Sequence, residues 1–229
     1  MITRPFISIS IRKLAISLLL LVSVSASAQL KFFSIQKDSI PFFRGFAVSF
    51  DLVDLAMMEL SDYGLYEGAL RINLHDEWFP IAELGYGKAS HVNDPVTHIS
   101  YKTSAPYFRI GIDKNLLKQK HGPYRLYAGL RYAFTKYKVD LTRDNFPDPV
   151  WLWDTGFGVK DEQCSYHWLE IALGADATIW GPLHLGWSVR YKRRIAHKDG
   201  VLGRTWYVPG YGVDGDTRLG GTFNVIIDI

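Results

Sequence analysis

The sequence predicts an all-β protein, an eight-stranded antiparallel up-and-down β-barrel that crosses an outer membrane. Three observations carry this. Apolar and polar residues alternate with period two in eight separate segments. The links between those segments alternate between short and long. The polar face mixes small residues with Arg and carboxylates, which suits a crowded interior better than a solvated surface.

The chain has 229 residues, a length that one β-barrel can use as a single unit. Its start reads as a secretory signal over residues 1–28. Arg4, Arg12 and Lys13 form a basic region, "LAISLLLLVSV" an apolar core, and Ala26-Ser27-Ala28 a small-x-small cleavage pattern before Gln29. Residues 29–42 then form a short periplasmic segment, and residues 43–229 the barrel. The formal charge of +3 loses its three basic residues with the signal, so the mature chain is close to neutral. That balance gives no reason to expect nucleic acid as a partner. The single Cys164 excludes an internal disulfide and reads as a loop thiol. Beyond the signal, no run approaches the ~18 apolar residues of a spanning helix.

The first segment, "GFAVSFDLV", sets Phe46, Val48, Phe50 and Leu52 against Ala47, Ser49 and Asp51. In "LYEGALRINL", Tyr66, Leu70, Ile72 and Leu74 oppose Glu67, Ala69, Arg71 and Asn73. "PIAELGYGK" sets Ala82, Leu84 and Tyr86 against Glu83, Gly85 and Gly87, and "PYFRIGIDK" sets Phe108, Ile110 and Ile112 against Arg109, Gly111 and Asp113. "YRLYAGLRYAFTKY" opposes Leu126, Leu130, Tyr132 and Phe134 to Arg125, Gly129 and Arg131. "HWLEIALGADATI" opposes Leu169, Ile171 and Leu173 to Glu170, Gly174 and Asp176. "LHLGWSVRYKR" opposes Leu185, Trp187, Val189 and Tyr191 to His184, Ser188, Arg190 and Lys192. The eighth segment, "GGTFNVIIDI", sets Phe223, Val225, Ile227 and Ile229 against Asn224 and Asp228. Each run is about the 9–11 residues that cross a bilayer at a tilt.

Short links ("HDEWF", "NLLKQKHGP", "WGP") follow the second, fourth and sixth segments, and longer ones the rest, notably residues 139–165 and 196–218. Long loops on one rim and short turns on the other is the asymmetry of an outer-membrane barrel, with both termini on the periplasmic side. The predicted interior charge network is Asp51, Glu67, Arg71, Glu83, Arg109, Asp113, Arg125, Arg131, Glu170, Asp176, Arg190 and Asp228. Glycines on the same face make room for these long side chains. Aromatic girdles are expected from Trp78, Phe79 and Trp180 at the short turns and from Tyr132, Phe134 and Tyr191 towards the long loops. The apolar last strand closes on the first. It is similar to the C-terminal signal read by the outer-membrane insertion machinery, although that signal usually ends in Phe and this chain ends in Ile229.

The segments "ALRINL", "ELGYGKA", "YKTSAPYFRIGID", "YRLYAG", "HWLE", "IWGPLHLGWSVRYKRR", "WYVPGYG" and "RLGGTFNVIIDI" span most of the mature chain. In combination they resemble an uncharacterised family of small outer-membrane β-barrel proteins of the Bacteroidota, catalogued as a domain of unknown function. The resemblance implies an outer-membrane barrel and brings no reaction and no ligand.

Catalytic, cofactor and metal sites are not expected. His184 and Ser188 share a face but lie ~13 Å apart at about 3.3 Å per residue, too far for a nucleophile–base pair. His91, Asp94 and His98 sit on one loop with loose spacing, and the acidic-Gly turns "DGVLGR" and "VDGDTR" fall short of a calcium loop. The expected function is structural or surface-interaction, with a plugged charged interior and Trp151, Trp153, Phe157, Trp206 and Tyr207 as loop contact candidates. The expected partners are outer-membrane lipid, the insertion machinery during biogenesis and an extracellular or membrane protein met by the loops. Two other readings are a lipid-modifying acyltransferase or deacylase and a soluble periplasmic carrier of lipocalin type. The carrier would turn the apolar face inwards.

Overall fold

The computed structural model describes residues 39–229 apart from Val96, residues 148–153 and Leu202, with backbone only for residues 144–147, 154, 155 and 157. The predicted signal and most of the periplasmic segment lie outside the described residues. Two units are distinguished, Met1–Ile40 and Pro41–Ile229, and the second holds the barrel.

The strands are β1 (Phe43–Asp51), β2 (Tyr63–Leu74), β3 (Trp78–His91), β4 (Ile99–Asn115), β5 (Tyr124–Pro147), β6 (Asp154–Trp180) and β7 (Leu183–Lys198). A short pair, β8 (Tyr207–Val208) and β9 (Gly212–Val213), precedes the closing strand β10 (Thr217–Asp228). Antiparallel pairing runs round a closed ring in the order β1-β10-β7-β6-β5-β4-β3-β2. β10 returns to β1 with Ala47 opposite Asp228 and Asp51 opposite Asn224. Every strand of the ring pairs on both sides over part of its length, while the portions of β10 and β2 beyond the end of β1 pair on one side alone.

The side-chain period is two, so register decides what faces in. Leu70, Leu84, Ile110, Leu130, Ile171, Leu173, Trp187 and Val189 stand outward and exposed, whereas the Arg and carboxylate positions between them are buried. Of the expected girdle, Trp180 (82% exposed), Tyr132, Phe134 and Tyr191 lie on the outer face. Phe79 corrects that expectation. It is buried, and the Arg125 guanidinium lies 4.1 Å from its ring centre, so a cation–π contact holds it inside.

Three segments depart from the sequence reading. Residues 139–165 are mostly strand. β5 runs for 24 residues and β6 for 27, far beyond the roughly 9–11 a bilayer crossing needs. In this extension the faces exchange character. Tyr101, Tyr137, Val139, Cys164 and Tyr166 are buried inside, while Lys102, Lys136 and Lys138 are exposed outside. Cys164 is therefore a core residue and not a loop thiol.

The second departure is a helix, α1 (Leu52–Leu60), where the first segment was expected to continue as strand. Asp51 caps it by accepting a 2.9 Å hydrogen bond from the Val53 amide. The residues that follow, "LVDLAMMEL", include strong helix formers. Pairing of β1 stops at Phe50 with Gly68 on one side and at Asp51 with Asn224 on the other. β2 continues to Tyr63 and β10 to Thr217, and α1 packs against both. Gly64 permits this approach, because a Cβ there would lie 2.4 Å from the Met58 Cα. The third departure, residues 199–216, is described with the site below.

Gly64→Val is expected to push α1 off β2 at about 1–3 kcal/mol, the range for overpacking. Gly68→Ala, whose added Cβ meets Phe50 at an ordinary 3.6 Å, is expected to be near neutral. Urea midpoints of the two variants, together with proteolysis within residues 52–60, check the difference.

Candidate functional site

The barrel interior gathers its charges by register. Glu83 sits directly opposite Arg109, Arg131 opposite Glu170, and Arg125 opposite Asp176. Glu83, with no exposed surface, accepts 3.0 Å hydrogen bonds from Arg109 Nη1 and Arg190 Nη1 and a 2.9 Å bond from Arg131 Nε. Glu67 accepts from Arg190 at 3.1 Å, from the Tyr107 hydroxyl at 2.5 Å and from Arg109. Glu170 lies 2.9 Å from Arg109 Nε and accepts from Trp168 Nε1 at 2.6 Å. Lower down, Arg131 Nη2 donates to Asp113 at 3.1 Å, and Asp176 accepts from Arg125 Nε at 3.0 Å and from Arg71 at 3.4 Å. Planar guanidinium forks let one side chain serve several carboxylates. Gly129 leaves the space filled by Asp113, whose Oδ1 lies 1.9 Å from where a Cβ would stand.

Two residues of the expected network behave differently. Asp51 is buried but caps α1 instead of pairing with a base. Asp228 is a correction. Its side chain is 54% exposed at the short-turn rim, where it bonds His184 Nε2 at 2.9 Å. It lies at the last residue of β10, beyond the enclosed layers. His184 Nδ1 in turn meets the Thr178 hydroxyl at 3.0 Å, and Ser188 bonds Thr222 at 2.7 Å. The Ser–His pair considered from sequence is not assembled, and the relay through His184 ties the β6–β7 turn to the closing strand.

At the long-loop end, residues 204–215 fold back into the barrel. Tyr207 is 1% exposed, and Val208 and Tyr211 are equally enclosed. Lys192 Nζ donates to the Gly210 and Tyr211 carbonyls at 2.9 and 3.2 Å, and Arg109 Nη2 donates to Gly210 at 2.8 Å. The Tyr101 hydroxyl donates to the Tyr207 carbonyl at 2.7 Å, and Tyr137 shares a 2.7 Å hydrogen bond with Thr205. Tyr207 is thus corrected from an outward contact to an inward one, because its ring and carbonyl complete an aromatic core inside the upper strands. Trp206 is partly exposed and packs on Tyr63, Tyr101 and His91. Trp151 and Trp153 lie outside the described residues, as does the Phe157 side chain. Sequence reasoning placed Tyr107 and Lys192 on the inward face without giving either a role, and it passed over Trp168 and Tyr211. The signal for Trp168 was its shared parity with Tyr166 and Glu170.

At the short-turn end, His75 and Asp76 both take positive φ in the β2–β3 turn. Asp76 accepts from Asn73 at 2.7 Å, lies 2.6 Å from His121 Nδ1 and pairs with Arg44. Burial works to raise its pKa, but the hydrogen bonds from His121 and Asn73 and the charge of Arg44 outweigh it, so the carboxyl titrates below its ordinary value. Among the described residues no group of three or more His, Cys, Asp or Glu is placed to hold a metal ion. His91 bonds Asp62 at 2.6 Å, and His98 bonds Asn93 at 3.3 Å.

Glu83→Gln is expected to cost about 3–5 kcal/mol, because it strands buried guanidinium charge. Asp228→Asn, which breaks an exposed pair, is expected to cost under ~1 kcal/mol. Urea unfolding of both variants checks the contrast. The Asp76 carboxyl is expected to titrate below ~3.9 by NMR. Since its folded value is depressed, its contribution is complete above that unfolded value and fades as pH falls through the folded one. Asp76→Asn should therefore flatten the acid limb of the stability curve.

Among known proteins, three solved barrels are similar in fold. Neisserial surface protein A aligns over 82% of this chain and 99% of its own, at 11% identity and a TM-score of 0.46. The N-terminal β-barrel domain of Pseudomonas aeruginosa OprF aligns over 82% and 99%, at 12% identity and 0.38. Ail, the attachment invasion locus protein of Yersinia pestis, solved with the heparin analogue sucrose octasulfate, aligns over 80% and 93%, at 11% identity and 0.38. No curated protein matches the chain by sequence. The family model described as domain of unknown function (DUF6048) matches residues 9–228, and the chain belongs to that family.

Proposed function

We propose that this member of the DUF6048 family is an integral outer-membrane protein. Its barrel is a non-conducting scaffold that holds the long β5–β6 hairpin and neighbouring loops as a contact surface. The observation that carries this reading is the exchange of polarity along the wall. Within the band from Leu84 and Ile110 to Phe134 and Tyr191 the exterior is apolar and the interior charged. Beyond Lys102, Lys136 and Lys138 the exterior is polar and the interior aromatic. A chain surrounded throughout by water has no reason to change faces partway along its strands. A bilayer of finite thickness supplies one.

Two further features support the scaffold role. The interior carries paired charge at mid-depth, with the fold-back of residues 204–215 above it and a 500 Å³ cavity beside Arg71, Arg125 and Asp176 below it, so an ion entering from the short-turn end meets the Glu67–Glu83–Glu170 layer and its arginines. The charged interior also speaks against a lipocalin-like carrier, which needs an apolar cavity. The short turns, the start of β1 and the end of β10 would face the periplasm, and the long hairpin the outside.

Fractionation, gel mobility with and without boiling, and planar-bilayer recording test the proposal together. The protein is expected in the outer membrane, with mobility that shifts on boiling and no stepwise conductance. Deleting it should leave lipid A mass unchanged. Solubility without detergent sinks the membrane reading, steady channel steps sink the non-conducting one, and an altered lipid A mass favours an enzyme.

A further inference from the structure

We propose that the cavity inside the barrel at its short-turn end binds a small organic carboxylate. The site rests on the geometry of the bore; that its ligand comes from the periplasm rests on the outer-membrane reading. The cavity encloses 500 Å³ and runs out to exposed residues of the short turns, Gly122 and Gly181 among them. Small-molecule sites span roughly 300–1,000 Å³. Its floor is Arg71, Arg125 and Asp176, all on inward positions of their strands.

Two guanidinium groups share one carboxylate on this floor. Asp176 accepts from Arg125 Nε at 3.0 Å and from Arg71 Nη1 at 3.4 Å. Asp113 stands 3.9 Å from Arg71 Nη2, but Arg131 holds it at 3.1 Å. Arg125 Nη1 and Arg71 Nε have no hydrogen-bond partner among the described residues, although each side chain is less than a tenth exposed. Charges at the rim are already matched, Arg44 by Asp76, Lys120 by Glu77 and Asp228 by His184. The excess therefore lies at the floor, where two bases and one acid leave +2 − 1 = +1. The layer above has no such excess, since Arg109 and Arg190 both meet Glu67, Glu83 and Glu170.

The floor is also held in place. The Arg125 guanidinium lies 4.1 Å from the Phe79 ring centre and 4.7 Å from that of Tyr127, and Arg71 lies 5.7 Å from the Tyr127 ring. Guanidinium planes fixed against rings keep their N–H groups arranged for a planar oxyanion. Water can accept from the free donors but brings no charge. A carboxylate brings two acceptor oxygens and the single negative charge that the floor lacks. A phosphate dianion exceeds it and meets Asp176 below and Asp228 at the mouth. Phe79 and Ile226, both buried and both lining the cavity, give the organic body an apolar wall.

The test uses the full mature protein folded in detergent, with benzoate as the probe, benzamide as its uncharged counterpart and phenyl phosphate as the dianion. Isothermal titration calorimetry reads the three affinities against micelles alone, and boiling-shifted mobility establishes that each sample is folded. The wild type is expected to bind benzoate about tenfold more tightly than either of the others, the scale of a charge-assisted hydrogen bond. Arg125→Gln removes the excess charge, leaves Asp176 to Arg71 and should abolish the preference over benzamide. Ile226→Trp narrows the cavity without touching a charge and should weaken benzoate binding; Ala47→Leu is the smaller insertion if that variant does not fold. A folded wild type that binds benzoate no better than benzamide, or binds neither, overturns the site and leaves the barrel reading intact. An unchanged preference in folded Arg125→Gln overturns it equally. Phenyl phosphate binding as tightly as benzoate overturns the carboxylate assignment. The wild-type comparison decides even where a variant does not fold. A protein soluble without detergent overturns the membrane reading and with it the periplasmic source, while its benzoate preference still decides the site.

Discussion

Glu83, enclosed by Arg109, Arg131 and Arg190, is the constraint around which the barrel is organised. Eight strands leave an interior only wide enough for side chains. An unpaired charge buried in that space is costly, so Glu67, Glu83 and Glu170 each meet guanidinium groups at one depth. The partners come from β3, β4, β5 and β7, and only one register brings them level. A slip by one residue would turn all of them to the outer face and draw the leucines in. The closed ladder and the ion network therefore specify each other. Such networks add little net stability over apolar packing, but breaking one partner is costly. Their main effect here is on which pairing is allowed.

The upper barrel solves the same filling problem with different chemistry. There the interior is aromatic, and residues 204–215 supply what the strands alone do not. The Gly210 carbonyl receives both Lys192 and Arg109, so the loop is fastened to the charged layer beneath it. The aromatic core and the ionic core are one continuous packing. Loosening the loop would expose Arg109, already shared among three carboxylates, to new partners.

What could be read from the sequence follows from range. Alternation is local, so all eight barrel segments and the faces of Arg71, Glu83, Arg109 and Arg131 were legible from spacing alone. The upper halves of β5 and β6 were not, because their alternation continues with the polarity reversed and reads as loop. α1 was hidden by parity, since Leu52 continues the outward series of Phe46, Val48 and Phe50. Only the cap geometry of Asp51 separates helix from strand there. Tyr207 was misjudged because its partner Tyr101 lies 106 residues away, beyond any local pattern. Asp228 had the right parity and the wrong depth, and depth depends on how far the neighbouring strands extend.

The junction of β1 and α1 follows from the same geometry. A strand edge without a partner is costly wherever its backbone groups are buried with nothing else to bond. Ending β1 at Asp51 creates such an edge on β10. The Asp51 carboxylate stands in for the missing strand at the first rung by accepting the Phe223 amide. The same side chain caps α1, which covers the β2 side with Gly64 set close against Met58. One residue therefore ends a strand, starts a helix and closes a ladder, and these tasks use only its Oδ1. Its second oxygen has no hydrogen-bond partner among the described residues and lines a small interior void with Glu67, Arg71, Arg131 and Arg190, so the residue that reorganises the wall also belongs to the charged interior.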